Sequence, residues 1–307
     1  MSGCDSYVVV IGGVNIDIGG RSDAPLIYRD SNPGRVSVSP GGVGRNIAHN
    51  LSLLGVHVRL LTALGDDSHA HEIRRSCEEL GIDLSLSLTA AGCATSTYLY
   101  LEDSGGELAL AVTDTRLCDR ITPEYLSQHM GALNGAAAVF ADANLSAETL
   151  AYIAAHCTAP LFTDPVSVKK AGRVKPILGR IHTLKPNRNE AELLAGVKIT
   201  DEASLKEAIG TLLGTGLKRL FLSLGEHGVY AAEGDRRIML PPSPAVIRST
   251  NGAGDAFTAA LGWAYLNGMS LEDTCRAANT AAAIALESDS TINPMLSAEA
   301  VQKRMKN

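Results

Sequence analysis

Ser249-Thr250-Asn251-Gly252-Ala253-Gly254-Asp255-Ala256-Phe257 sets two glycines and an alanine directly before an acid, and an apolar helical pattern, Ala256–Asn267, follows at once. Glycine permits tight turns and close approach of a ligand. A helix that starts here aims its free N–H groups and positive dipole end at whatever lies above it. That is a place for an anion such as a transferring phosphate. An acid in the first turn of the same helix is placed to take a proton from an attacking hydroxyl.

Working outward, short apolar runs alternate with helical patterns. Tyr7–Gly12 is β-branched and ends in glycine, and Val58–Leu64, Ala138–Ala141, Leu161–Thr163, Arg180–Leu184 and Arg219–Leu224 read as further buried strands. Between them Ile47–Leu54, Ala70–Leu80, Ala147–His156, Glu190–Ala195 and Leu205–Leu213 carry helical spacing, and Leu271–Leu286 follows near the end. Such alternation predicts an α/β fold, a mostly parallel sheet flanked by helices on both faces. Two segments break it. Asp17–Val38 scatters polar residues around Pro25, Pro33 and Gly34, and Ser96–Val112 reads as a hairpin turning at Asp103-Ser104-Gly105-Gly106. Together they predict a small β-sheet outside the main body, a lid or a dimer contact. The expectation is one domain over 1–307, with lid segments at about 15–40 and 93–114.

Further motifs each carry two readings. Pro40-Gly41-Gly42-Val43-Gly44-Arg45-Asn46 lets the backbone pass close to a ligand before a helix, or is a glycine turn with Asn46 exposed. Asn15 and Asp17 follow the first strand, where open α/β sheets bind ligands. They suit neighbouring sugar hydroxyls, or form an Asx-type turn. Asn187 with Glu190 three residues on is a capping-box start for a helix, and the same pair can face metal-bound phosphates. Leu222-Ser223-Leu224-Gly225-Glu226-His227-Gly228-Val229 reads as strand, tight turn and strand. No P-loop, dinucleotide fingerprint or H-E-x-x-H occurs, and His71-Glu72 reads as a solvated helix face.

Composition excludes several classes. The 307 residues are 45% hydrophobic with net charge -6, and no basic run interleaves with aromatics, so nucleic acid is not the expected partner. The six cysteines (4, 77, 93, 118, 157 and 275) lack C-x-x-C spacing and fit a reducing cytosol. No signal peptide or membrane-length apolar run is evident, which points to a cytoplasmic protein with no membrane partner.

Taken in order, Asn15/Asp17, Gly41–Asn46, Asn187–Glu190, Ser223-x-Gly225 and Gly252–Asp255 resemble the ribokinase-like (PfkB) family of carbohydrate and nucleoside kinases over essentially the whole chain. The resemblance implies a ribokinase-like fold and ATP-dependent phosphorylation of a small sugar or nucleoside. Asp255 would be the base and Gly252, Ala253 and Gly254 the anion hole. Asn15, Asp17, Gly41, Gly42 and Asn46 would bind the sugar. Asn187, Ser223, Gly225, Gly228 and Asn279 would contact ATP, with Glu190 placing Mg²⁺ through water. Asn279 can equally be a polar residue on a packed helix.

Asp30–Gly34, Pro40–Asn46 with Arg45, Thr163–Ser167 and His182–Arg188 are most similar to bacterial pseudouridine kinases, which implies the 5′-hydroxyl of a C-nucleoside as acceptor. Ser96, Thr97 and Asp114 are then candidate base contacts, and Arg45 could reach a base carbonyl, a phosphate or solvent. Lid strands of this family often pair into a homodimer. Where many relatives carry Asp and Thr, this chain has Ser249 and Asn251, which leaves an activating monovalent cation open. Other pentose or nucleoside kinases share every core motif. A sugar-phosphate kinase would need basic residues near the lid, with Arg21, Arg29 and Arg35 as candidates. A ligand-binding sensor would have lost catalysis.

Overall fold

The computed structural model describes residues 6–306, so Cys4 lies outside the described residues. In chain order the strands are β1 Tyr7–Ile11, β2 Asn15–Ser22, β3 Gly34–Gly41, β4 His57–Leu61, β5 Ala63–Leu64, β6 Leu88–Thr89, β7 Thr97–Glu102, β8 Leu108–Asp114, β9 Ala138–Asp142, β10 Leu161–Asp164, β11 Thr183–Leu184, β12 Arg219–Ser223, β13 Val229–Glu233 and β14 Arg236–Leu240. The α-helices are α1 Val43–Leu53, α2 Ser68–Glu79, α3 Pro123–Ser127, α4 Met130–Asn134, α5 Ala147–His156, α6 Val168–Ala171, α7 Arg188–Ala195, α8 Glu202–Gly214, α9 Ala253–Leu266, α10 Leu271–Leu286 and α11 Ala298–Met305.

Eight strands form the main sheet in the order β14-β13-β12-β11-β10-β9-β1-β4. It is parallel from β12 to β4 and antiparallel only at β12, β13 and β14. The β-branched run of β1 suits its place between β9 and the edge strand β4, because a parallel strand there is buried on both faces. Alternation then splits the core in two. Val8 and Val10 pack in one layer with residues of α1, α9 and α10, while Val9 and Ile11 pack in the other with residues of α5, α7 and α8. Phe140, Phe162 and Phe221 are the largest side chains fully buried.

Two expected strands come out shorter. Val58–Leu64 breaks at Thr62, whose hydroxyl donates to the Gly12 carbonyl (2.8 Å), and Ala63–Leu64 pairs instead with β6. Only Thr183–Leu184 of the next-to-last run is strand, since Lys175–Arg180 coils into a 3₁₀ turn with Pro176 in its first turn.

The second sheet has the order β3-β2-β7-β8. β2 runs antiparallel to β3 and parallel to β7, and β7 turns back as β8. Its register sorts side chains onto two faces. Asp17, Ser39, Tyr98 and Thr113 share one, and Ile18, Val38, Leu99 and Val112 share the other. Among the described residues no helix is long and apolar enough to cross a membrane.

Candidate active site

Side chains at the carboxyl ends of β9, β10 and β11 reach the start of α9. Gly252 caps that helix with φ 77°, and a Cβ there would stand 1.9 Å from the Thr291 carbonyl oxygen. Only glycine fits. No side chain caps α9, whereas α2, α5, α7, α8, α10 and α11 each have a capping side chain. α1 also starts on a glycine, but its Gly44 and Arg45 N–H groups donate to the Gly13 carbonyl. Gly252, Ala253 and Gly254 thus present an open helix start, able to receive an anion.

Asp255 sits in the first turn of α9. Its Oδ2 accepts a hydrogen bond from Asn46 Nδ2 (2.8 Å), the last residue of the Gly-Gly-x-Gly-x-Asn motif on α1. Burial, together with the nearby Asp164 carboxylate, pushes the Asp255 carboxyl up to about 7, against the pull of Asn46 and Lys185. A carboxylate poised near neutrality can accept a proton at physiological pH.

Behind it lies a buried ionic cluster. Asp164 ends β10 and accepts from Lys185 Nζ (3.0 Å), Thr258 Oγ1 (3.0 Å) and the Val166 N–H (2.8 Å). Thr258, one turn along α9, also donates to the Gly254 carbonyl, so Asp164 fastens the helix start to the sheet. Lys185 follows β11. Burial opposes its charge, but Asp164 beside it holds the ammonium above its ordinary value. Its Nζ lies against the helix start, 3.0 Å from where a Gly254 Cβ would stand. Asp142, at the end of β9, accepts from the Gly13 N–H (2.9 Å), and burial pushes its carboxyl up to about 6. None of Asp142, Asp164, Lys185 and Thr258 stood out in the sequence as a site residue. The available signal was position: each of the first three closes or follows an apolar parallel strand at its carboxyl end.

On the other side, Asn15 Nδ2 donates to Asp17 Oδ1 (2.5 Å). Burial raises the Asp17 carboxyl, and Asn15 and Arg45 pull it down. A Cβ at Gly41 would fall 2.1 Å from Asp17 Oδ2, and one at Gly42 (φ 96°) would fall 2.5 Å from the Gly13 carbonyl oxygen. The glycines therefore let the motif press against the β1–β2 connection. Asn46 is buried, which removes its exposed reading. Arg45 is also buried, donating to the Pro40 carbonyl (3.1 Å) and Ser76 Oγ (2.6 Å), so it does not face solvent.

The lid candidates divide. Ser96 is 3% exposed and its hydroxyl has no partner. Thr97 pairs with Ile16 and with Asp114, which puts both on the face opposite Asp17. Asp114 is engaged there with Arg116 (2.6 Å), which pulls its carboxyl down to about 2. Strand alternation thus removes Thr97 and Asp114 as contacts to a ligand held at Asp17.

The nucleotide candidates cluster around β12. Asn187 and Glu190 form a reciprocal capping box on α7, so the structural reading of that pair holds. Asn187 is also a bridge partner of Ser223, whose N–H donates to the Pro186 carbonyl (3.0 Å). Gly225 and Gly228, both with positive φ, bound the 3₁₀ turn before β13. Asn279 is 8% exposed on α10 and donates to the Pro241 carbonyl (2.7 Å), as the packed-helix reading expects. Burial raises the Glu190 carboxyl, with the Asn187 N–H bond pulling it down. Among the described residues no group of three or more His, Cys, Asp or Glu is set to hold a metal ion.

Comparison with known proteins shows the family. The model of the pfkB family carbohydrate kinases matches residues 5–298. The chain is 41% identical over 294 residues to the pseudouridine kinase of Escherichia coli (strain K12), covering 95% of this chain and 94% of that protein. It is 40% identical over 295 residues to an uncharacterized sugar kinase of the same organism, covering 95% and 82%. Arabidopsis thaliana ribokinase, solved with ribose and ATP, shares the fold with a TM-score of 0.88 at 22% identity, covering 98% of this chain and 99% of that one. With an open helix start, an adjacent carboxylate and a family match spanning nearly every residue, the chain belongs to the pfkB family of carbohydrate kinases and is an ATP-dependent phosphotransferase with an alcohol acceptor.

Proposed function

We propose that the protein transfers the γ-phosphoryl group of ATP to the 5′-hydroxyl of pseudouridine, with Asp255 as general base. The observation that carries the mechanism is the Asn46–Asp255 bond, which joins the proposed sugar-binding motif to the open start of α9. The acceptor hydroxyl lies against Asp255, which takes its proton as the oxygen attacks phosphorus and ADP leaves. Gly252, Ala253 and Gly254 donate N–H groups to the transferring phosphoryl, and Lys185 adds positive charge beside them. Such a transition state is loose and highly charged, so positioning and electrostatics supply most of the acceleration.

Mg²⁺ would arrive with the nucleotide and neutralise phosphate charge. Glu190 fits a water-mediated contact to it, because the Asn187 N–H uses Oε2 alone. Asn187, Ser223, Gly225, Gly228 and Asn279 would border the nucleotide. Ser249 brings no carboxylate to a monovalent cation; its hydroxyl accepts the Asn251 N–H (3.2 Å).

Asn15, Asp17, Gly41 and Gly42 would hold the ribose. Arg45 would act from behind, fixing the Pro40 carbonyl at the entry to the motif. We read the chain as one domain with the small sheet as its lid, working where ATP is held, in the cytoplasm. The exposed aliphatic face of the lid, with Val36, Val38, Leu99, Leu101, Leu110 and Val112, is the surface a homodimer would cover. A sugar-phosphate acceptor is disfavoured. Arg21 and Arg35 pair at the far end of the lid, about 13 Å along β2 from Asp17, and Arg21 reaches only the Ser104 carbonyl (3.2 Å).

The test is an ADP-release assay on pseudouridine, uridine, adenosine and ribose. The expected result is a kcat/KM for pseudouridine at least about tenfold above the others, a discrimination worth ~1.4 kcal/mol. Preference for ribose or adenosine would replace pseudouridine as acceptor.

A further inference from the structure

The register of the small sheet sets a group of side chains beside Asp17 that the proposed reaction does not yet use. Asp17 lies opposite Tyr98, and Gly19 lies opposite Tyr100. Paired positions share a face, with strands about 4.8 Å apart. Tyr98 and Tyr100 stack with ring centroids 5.4 Å apart and planes inclined by 27°. Gly19 makes room for this: a Cβ there would come within 2.5 Å of the Tyr100 ring and hydroxyl. Ser96, immediately before β7, continues the alternation on the same face, and its buried hydroxyl has no partner.

The two faces of β7 differ in kind. Leu99 and Leu101 occupy the outer one, and aromatic rings occupy only the face of Asp17. Both tyrosines are half-buried, so they are not core packing. A free pentose offers nothing flat to such rings. A nucleobase does, and stacking on an aromatic side chain contributes regardless of which base it is.

We propose that Tyr98 and Tyr100 form the platform on which the base of a nucleoside stacks while Asn15 and Asp17 hold its ribose, with the Ser96 hydroxyl free to bond the edge of the base. The proposal rests on the nucleoside reading above and goes beyond it by placing acceptor specificity on β7. Tyr98, next to Asp17, stacks first. Tyr100 backs it and is itself held flat by Gly19.

The experiment measures KM for pseudouridine and for ATP in the full chain and in Tyr98→Leu, Tyr98→Phe and Gly19→Ala. Tyr98→Leu should raise the pseudouridine KM by roughly fivefold or more, in line with the loss of one stacked base contact, and leave the ATP KM unchanged. Tyr98→Phe should keep the pseudouridine KM within about threefold, because the ring remains. Gly19→Ala, which displaces Tyr100 without removing it, should raise the pseudouridine KM in the same direction. A pseudouridine KM within twofold of the parent in both Tyr98→Leu and Gly19→Ala overturns the platform. So does an equal rise in the ATP KM, the mark of general damage. If the unmodified chain prefers another nucleoside, the same series on that nucleoside decides the platform while pseudouridine alone is rejected. If it accepts free pentoses and no nucleoside, the acceptor reading fails first and the platform with it.

Discussion

The two ends of the proposed acceptor site are built on different principles. At the α9 start, Asp164 bonds Lys185 and Thr258, Asn46 bonds Asp255, and burial raises the Asp255 carboxyl. In the small sheet, β3 and β8 are exposed along most of their length and only one face of β2 and β7 looks toward Asp17. The first region fixes geometry by mutual bonding, as reaction chemistry needs. The second fixes only which face a side chain occupies, which suffices for recognising a shape. Changes near α9 should therefore act on turnover, and changes in the small sheet on acceptor affinity.

Asp255→Asn should show the largest effect, a fall in kcat of about 10²–10⁴, the usual range for a general base. It should also stabilise the fold at pH 8. Because the folded carboxyl titrates near 7 instead of near its ordinary 3.8, the folded state holds its proton more tightly, and stability is lost as pH rises between those values. The amide escapes that loss, so thermal unfolding at pH 8 should rise by about 2 °C or more. Next is Gly252→Ala, which forces a methyl onto the Thr291 carbonyl at positive φ. It should cost about 2 kcal/mol or more in denaturant unfolding.

Asn46→Ala should lower kcat/KM at pH 7 by about tenfold, the worth of a hydrogen bond to a charged group. It should also move the acid limb of the pH profile upward, since the lost bond holds the Asp255 proton affinity down. The smallest effect belongs to Asp114→Ala. That residue sits in an exposed ion pair on the outer face, so pseudouridine KM and kcat should stay within about twofold. A large loss there would break the two-region comparison.

Much of the proposed catalytic end could be read from the sequence because its residues are local in sequence. Gly252-Ala253-Gly254-Asp255 and Gly41–Asn46 place their side chains within one helix turn of a glycine, and helix starts can be read from a few residues. Ala147–His156 and Leu271–Leu286 match their observed helices for the same reason. Asp142, Asp164 and Lys185 did not announce themselves. Their closeness to α9 comes from parallel strand order, which no short stretch encodes. The hairpin misled at Thr97 and Asp114 because it can be recognised without knowing its facing. A one-residue shift of phase moves every side chain to the other face, and only the strand register showed that Tyr98 and Tyr100 share the face of Asp17.

The most direct test of the central claim is the pH dependence of kcat/KM for pseudouridine, from pH 5.5 to 8.5, in the parent chain and in Asp255→Asn. The account predicts a parent rate that rises with pH through a single ionisation near 7, and a variant whose residual rate, lower by a hundredfold or more, has lost that limb. A variant that keeps the limb, or stays within tenfold of the parent at pH 8, would contradict Asp255 as the base.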